Sequence, residues 1–182
     1  MATAVEKPNF VFPDKFHKPL FAAQISLRVL AFVACLAASS ITLANNQTAT
    51  AFGVVAHARY NYSPSFEFFA YANLVVCVFT ILSLVLAVNM AKRVAVDPAL
   101  YFYMFVHDLM MTVVLMAACA AVTAVGYIGK YGNSHAGWMP ICAYLEKFCQ
   151  RATAASVLAY FGFLFYLILA LVSAHRSRHI TL

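Results

Sequence analysis

Charged residues are scarce in this sequence. They make up 10% of its 182 residues, while 64% are hydrophobic, whereas an average soluble domain is about 25% charged and about 45–50% apolar. A single water-soluble core of this size cannot bury so much apolar surface, which excludes a soluble globular protein. The net charge of +6 does not indicate a nucleic-acid partner either, because the basic residues form no patch with interleaved aromatic residues. We expect them to meet anionic lipids beside the apolar runs.

The sequence also lacks the motifs of several enzyme and cofactor classes. It contains no G-x-S-x-G segment and no phosphate-binding P-loop. There is no C-x-x-C pair, which a four-helix disulfide-forming oxidoreductase would need. Only His107 falls within an apolar run, so a di-haem bundle is disfavoured, and no His/Cys cluster has metal-ligand spacing. We therefore expect no catalytic residue, no metal and no cofactor.

Long apolar runs are abundant. Four of them occur, at residues 20–44, 67–89, 99–126 and 152–174. Each is long enough to cross a bilayer, which takes about 20 residues, and backbone groups in hydrocarbon must be paired within the protein, which favours helices. The first run is too long for a cleaved signal peptide. The sequence predicts an all-α integral membrane four-helix bundle over residues 20–175, with tails at 1–19 and 176–182.

The distribution of Lys and Arg predicts the orientation of this bundle. Seven lie in the two tails and the 92–98 loop, and four lie in the other two loops. Because cytoplasmic segments are enriched in basic residues, both termini are expected in the cytoplasm. Two glycosylation sequons, at Asn46 and Asn61, then fall on the outer side.

Small residues form stripes in three of the four runs. They are Ala34, Ala37 and Ala38 in the first, Ala117, Ala120, Ala121 and Ala124 in the third, and Ala152, Ala155, Ser156, Ala159 and Gly162 in the fourth. Small side chains let membrane helices approach closely. The stripes therefore predict a tight bundle.

Apart from Glu67 at the first position of the second run, Arg28 and Asp108 are the charged residues within the runs. Each costs about 2.5–3.5 kcal/mol at the centre of a span on insertion scales. Counted from Pro19 and Pro98 at 1.5 Å per residue, they lie about 13 and about 15 Å along helices that run parallel. Equal depth predicts an ion pair between them.

A proton-relay role for Asp108, with His107 as a helper, is the alternative. Adjacent residues point about 100° apart on a helix, so the two are predicted not to share a face. A transport path also usually includes broken helices or further polar groups at mid-membrane. These considerations favour the structural pair, and the relay stays open.

Cys142 and Cys149 are the only cysteines outside the predicted spans. If their loop is extracellular, the compartment is oxidising and a disulfide is predicted. Seven residues of continuous helix would separate them by about 10 Å, beyond the roughly 7 Å limit, so the chain between them must turn. The remaining cysteines, Cys35, Cys77 and Cys119, are expected to be inert apolar residues in the spans.

Several segments together resemble the Casparian strip membrane protein family. They are ISLR at 25–28, YSPSFEFF at 62–69, Asp108, GWMPIC at 137–142 and FC at 148–149. The outer-loop part of this pattern comprises Trp138, Cys142, Phe148 and Cys149. The resemblance spans about residues 20–175. The GKYGN segment at 129–133 is similar to the broad CASP-like branch, and the additional first-loop signature of the true Casparian strip proteins is not present.

The resemblance implies a plant multi-pass protein of the plasma membrane, with a fold related to MARVEL domains and no enzymatic activity. Arg28 and Asp108 match the family's hallmark pair. Such a protein is expected to form homo-oligomers and hetero-oligomers with related members, to act as a membrane scaffold and to recruit cell-wall-modifying enzymes. A small transporter or channel that uses Asp108 is the alternative.

Overall fold

The computed structural model describes the backbone of residues 14–51, 54–92 and 98–181, and side-chain environments at 21–50, 55, 57–92 and 99–175. Four long helices account for most of it: α1 (Asp14–Leu43), α2 (Pro64–Ala91), α3 (Pro98–Tyr131) and α4 (Glu146–Thr181). Each contains a stretch long and apolar enough to cross a membrane. The predicted four-helix membrane bundle is thereby confirmed. Most of the predicted N-terminal tail, residues 1–13, lies outside the described residues.

The helices extend beyond the apolar runs from which they were predicted. Helix α3 continues past 126 to Tyr131, and α4 begins at Glu146 rather than near 152. Hydropathy reports the hydrocarbon-facing part of a helix, whereas the helix itself continues wherever its backbone hydrogen bonds do. Both extensions are on the side of the bundle that carries the 44–63 and 132–145 connections. We call that side the outer end and the opposite side the inner end, after the predicted orientation.

A β-hairpin lies in the first outer connection, where the sequence predicted only a loop. Its strands are β1 (Asn46–Ala51) and β2 (Val54–Arg59), paired antiparallel with Asn46 opposite Arg59. A short 3₁₀ turn at Tyr60–Tyr62 leads from β2 into α2, whose first residue is Pro64. Proline suits this position, because the first helical N–H has no intrahelical partner.

The helices form a ring in which each packs against two others. Within the described residues α1 contacts α2 and α4, and α3 contacts the same two helices, so α1 and α3 face each other across the diagonal. The α3–α4 contact is the most extensive and the α2–α3 contact the least. Any direct bond between α1 and α3 must therefore cross the centre of the bundle.

Small residues bring α1 and α4 together as predicted. Ala34 and Ala38 on α1 are buried, as are Ala155 and Ala159 on α4. At Gly162 an added Cβ would lie 2.8 Å from the Cys35 sulfur, so only glycine fits this contact.

The alanine stripe of α3 behaves differently. Ala117, Ala120 and Ala124 are exposed, while Ala118 and Cys119 are buried instead. The prediction that the α3 stripe packs inside the bundle was wrong.

Candidate functional site

A buried ion pair joins α1 to α3 across the diagonal of the bundle. The Arg28 Nη1 lies 2.8 Å from Asp108 Oδ1, and Nη2 donates to Oδ2 at 2.9 Å. Both side chains are 0% exposed. Two parallel N–H···O contacts form the fork geometry in which a guanidinium binds a carboxylate most strongly. The pair is in the inner half of the bundle, about 10 Å from the start of the apolar part of α1 at 1.5 Å per residue.

The other two helices contribute one hydroxyl each to the same site. Ser83 on α2 accepts a hydrogen bond from Arg28 Nη1 at 2.9 Å and donates to the Thr80 carbonyl at 2.9 Å. Ser173 on α4 donates to Asp108 Oδ2 at 2.9 Å. All four helices thus meet at one charged centre. A buried charge is tolerated when its partners replace the water it has lost, and this is the case for both Arg28 Nη atoms and both Asp108 oxygens.

Sequence reasoning missed Ser83 and Ser173. A usable signal existed, because each serine lies about 12 Å before the C-terminal end of its helix, a distance similar to the depth of the charges. Serine alone is a weak indication, since its hydroxyl can bond the preceding turn of its own helix.

His107 also contacts the carboxylate. Its Nδ1 lies 3.2 Å from Asp108 Oδ1, so the prediction that the two residues do not share a face was wrong. The Cα–Cβ directions do diverge, but the imidazole is long enough to reach back to the neighbouring side chain. A hydrogen bond to the ionised carboxylate requires the imidazole tautomer that carries its hydrogen on Nδ1, because a carboxylate only accepts. Nε2 is buried and has no partner among the described residues.

Tyr166 on α4 makes a further polar contact with α2, next to the charged centre. Its hydroxyl lies 2.5 Å from Thr80 Oγ1, which itself donates to the Val76 carbonyl at 2.6 Å. Because the Thr80 hydrogen is used in that bond, the Tyr166 hydroxyl is the donor between the two. The core just outside this level is largely apolar, and its fully buried residues include Ala31, Cys35, Val76, Leu115 and Leu169. Buried polar residues further out, Ser39, Thr42 and Asn73, bond carbonyls of their own helices. The described hydrogen bonds between helices at the charged centre are therefore confined to the inner half of the bundle.

The second site lies at the outer end and is centred on the predicted disulfide between Cys142 and Cys149; we call it the outer clamp. Cys142 and Cys149 form a disulfide with their Cα atoms 5.7 Å apart. The chain turns between them, as expected, because a 3₁₀ turn at Ile141–Ala143 ends before α4 starts at Glu146. This disulfide holds the second outer loop against the first turn of α4.

The hairpin is bonded to the same turn of α4. Asn45 Nδ2 donates to the Phe148 carbonyl at 2.9 Å, and the Phe148 N–H donates to Gln47 Oε1 at 2.6 Å. The Phe148 ring packs edge-on against Phe66 at the start of α2, with centroids 5.6 Å apart. Phe148 thus attaches the first outer connection to α4, and the neighbouring Cys149 attaches the second one through the disulfide.

Trp138 has an exposed side chain, 57% accessible, on a rigid backbone. Its N–H and carbonyl pair with those of Asn133 at 2.9 Å in both directions. Gly132 precedes this bridge at φ +70°, and a Cβ there would lie 2.6 Å from the Trp138 carbonyl oxygen. Glycine is therefore needed to present the tryptophan. The sequon residues Asn46 and Asn61 are both exposed.

These features define an integral membrane protein of four helices, joined by one charged centre at the inner end and by a disulfide-bonded clamp at the outer end. The Casparian strip membrane protein domain matches residues 17–165, a stretch that includes the Arg28–Asp108 pair and the disulfide but ends before Ser173. The chain belongs to this family. It is accordingly a multi-pass protein of the plasma membrane, in a family not known for enzymes.

Relatives of similar length support the assignment. The chain is 43% identical to CASP-like protein 1F2 of Populus trichocarpa, over 99% of each chain. It is 40% identical to CASP-like protein 1F1 of Vitis vinifera, over 90% of this chain and 79% of the relative. CASP-like protein 1F1 of Arabidopsis thaliana is 36% identical, over 86% of this chain and 89% of the relative. No solved structure matches the chain.

Proposed function

We propose that this protein is a non-enzymatic scaffold of the plasma membrane, which self-associates into a membrane domain and recruits cell-wall-modifying proteins at its outer face. The observation that supports it most is the charged centre. Among the described residues, the Asp108 carboxylate bonds Arg28 on α1, Ser173 on α4 and the adjacent His107. Such a centre holds the bundle in one arrangement, which suits a protein whose task is to present fixed surfaces.

The contacts of Asp108 also weigh against the transporter alternative. A relay carboxylate must exchange protons with water or cargo, and this one is 0% exposed and bonded to a guanidinium that is itself 0% exposed. On its outer side the described core is largely apolar, and the buried Ser39, Thr42 and Asn73 there bond carbonyls of their own helices. No observation favours a conducting path.

The outer end supplies surfaces for partners. Trp138, Met139 and Ile141 are all more than half exposed, on a loop held by the disulfide and by the Asn133 bridge. Aromatic and aliphatic side chains on a rigid backbone bind partners with little loss of conformational entropy. We assign recruitment to this loop, and self-association to the lipid-facing helix surfaces.

Oligomeric mass tests the scaffold directly. Purified protein in mild detergent, and again in lipid nanodiscs, should give masses that are multiples of 20.0 kDa, and mixed tags should co-purify. The same preparation in liposomes should give no proton or ion flux above that of empty vesicles. A monomer in both environments contradicts self-association, and a flux that Asp108→Asn abolishes in a folded protein supports the transporter.

Orientation is part of the proposal, with both termini in the cytoplasm and Asn46 and Asn61 outside. Lys92→Cys and Ser134→Cys place single accessible thiols at the inner and outer ends. A membrane-impermeant maleimide on intact cells should label only the thiol at 134. Labelling at 92 instead would invert the topology. A glycosidase-sensitive mass shift that disappears in Asn46→Gln or Asn61→Gln would locate the glycans.

A further inference from the structure

A groove lies between α2 and α3 in the described part of the bundle. It encloses about 400 Å³ in the inner half, between the two adjacent helices whose contact is the least extensive. Its lining is almost entirely apolar and includes Leu82, Leu86 and Met90 from α2 and Leu100, Met104 and His107 from α3. Ligand sites in proteins commonly have volumes of about 300–1,000 Å³.

The groove opens outward from the bundle. Met90, Met104 and Ser83 form its buried floor, while Leu82 and Leu86 on the rim are at least half exposed. Since these residues belong to membrane-spanning helices, the opening faces hydrocarbon. A recess lined mainly by apolar side chains suits an acyl chain better than water, because a water molecule needs two to four polar partners and few polar groups line it.

The length of the groove fits one lipid leaflet. From Phe79 to Met90 along α2 it extends about 16 Å at 1.5 Å per residue, and half of a hydrocarbon core of about 30 Å is about 15 Å. The groove follows the helices, and hence the direction in which acyl chains lie. It ends near the membrane surface, where α2 ends at Ala91 and α3 begins at Pro98.

The surface end of the groove carries a positive charge. Lys92 is exposed there, directly after Met90 and Ala91. The N-terminus of α3 at Pro98 adds the partial positive charge of a helix start. On the opposite rim, the Tyr103 side chain is 67% exposed. Positive charge at the surface end of an apolar slot complements a phosphate headgroup above an acyl chain.

We propose that this groove binds one anionic phospholipid from the leaflet next to the 92–98 loop, with an acyl chain between α2 and α3 and the headgroup phosphate at Lys92. The site is independent of the scaffold function. Its inner wall includes Ser83, which bonds Arg28, so the bound chain lies against the charged centre.

Native mass spectrometry of the full chain in mild detergent tests the site. The probes are dioleoyl phosphatidylglycerol and dioleoyl phosphatidylcholine, whose acyl chains are identical and whose headgroups differ in charge. The wild-type protein should retain one phosphatidylglycerol about fivefold better than phosphatidylcholine, the preference expected for one lysine near an anionic headgroup. Equal retention of the two lipids would overturn the headgroup assignment.

Two pairs of variants locate the binding. Leu86→Trp should fill the groove and abolish retention of both lipids, whereas Leu164→Trp, at a similarly exposed position on α4, should not. Lys92→Gln should remove only the preference for phosphatidylglycerol, and Lys147→Gln at the outer end should leave it intact. Gel filtration and an intact disulfide establish that each variant is folded.

Each remaining outcome contradicts the proposal. Equal lipid retention by the two tryptophan variants would mean that the lipid is bound elsewhere. Loss of oligomers in Leu86→Trp with lipid retention unchanged would mean that a second copy occupies the groove. No effect of Lys92→Gln would remove the assigned phosphate contact.

Discussion

Removing the charge of Asp108 is the most informative perturbation of the bundle. Asp108→Asn keeps the shape of the side chain and leaves Arg28 fully buried without its counter-charge. The new amide also directs one NH₂ group towards the guanidinium or towards Ser173, both of which donate to the carboxylate in the wild type. Breaking a buried pair in this way costs about 3–5 kcal/mol in soluble proteins. That is a large part of a typical stability of about 5–15 kcal/mol.

Thermal unfolding in detergent and delivery to the cell surface measure this loss. Asp108→Asn and Arg28→Ala should both unfold at lower temperature and be retained inside the cell. The charge swap, Arg28→Asp with Asp108→Arg, should recover part of the loss, limited by the positions of Ser83 and Ser173. A proton relay makes the opposite forecast, since Asp108→Asn would then fold and traffic normally but lose transport. Normal stability of both single variants would refute the structural role.

Three smaller perturbations test separate contacts. Ser173→Ala deletes a hydrogen bond to a buried carboxylate and should lower the free energy of unfolding by about 1.5–3 kcal/mol; an unchanged denaturation profile would mean that the bond is not made. Gly162→Ala should destabilise the α1–α4 contact by about 1–3 kcal/mol, and Cys35→Ala in the same chain should relieve the clash. The matched control, Gly126→Ala, has no atom within 4 Å of the new Cβ and should be neutral or slightly stabilising, because alanine favours a helix over glycine; equal effects at the two glycines would contradict the packing. Cys142→Ser should lower the free energy of unfolding by about 2–3 kcal/mol, the value expected for a disulfide loop of this length. Alkylation of denatured, unreduced wild-type protein should detect three free thiols among the five cysteines. Detection of five would mean that the disulfide is absent.

Depth along a helix proved readable from the sequence. Every residue of an α-helix advances 1.5 Å, so counting from Pro19 and Pro98 was enough to bring Arg28 and Asp108 to one level. The turn between Cys142 and Cys149 followed from the same geometry, because a straight helix would hold them too far apart. These inferences needed only rare residues and a constant rise.

The direction in which each side chain points around its helix could not be predicted in the same way. Ser83 and Ser173 reach the charged centre because of the rotation of α2 and α4, and serines elsewhere in the spans, such as Ser40, bond only their own helix. His107 was misjudged because Cβ directions do not limit where a ring nitrogen lies. The hairpin at 46–59 escaped notice because it is bonded to Phe148, more than 100 residues away in the chain.

Composition and distance along the chain are enough to establish the membrane environment, the number of spanning helices and the depth of the two intramembrane charges. Three features emerge only from the assembled bundle: which helices are neighbours, the diagonal arrangement of α1 and α3, and the inward orientation of Ala118 rather than Ala117. The cause lies in the solvent around the helices. In water an amphipathic stripe marks the buried face of a helix, but lipid is as apolar as the core, so helices that are apolar all round carry no such mark. Their orientation is set by close packing and by hydrogen bonds that exist only once all four have assembled.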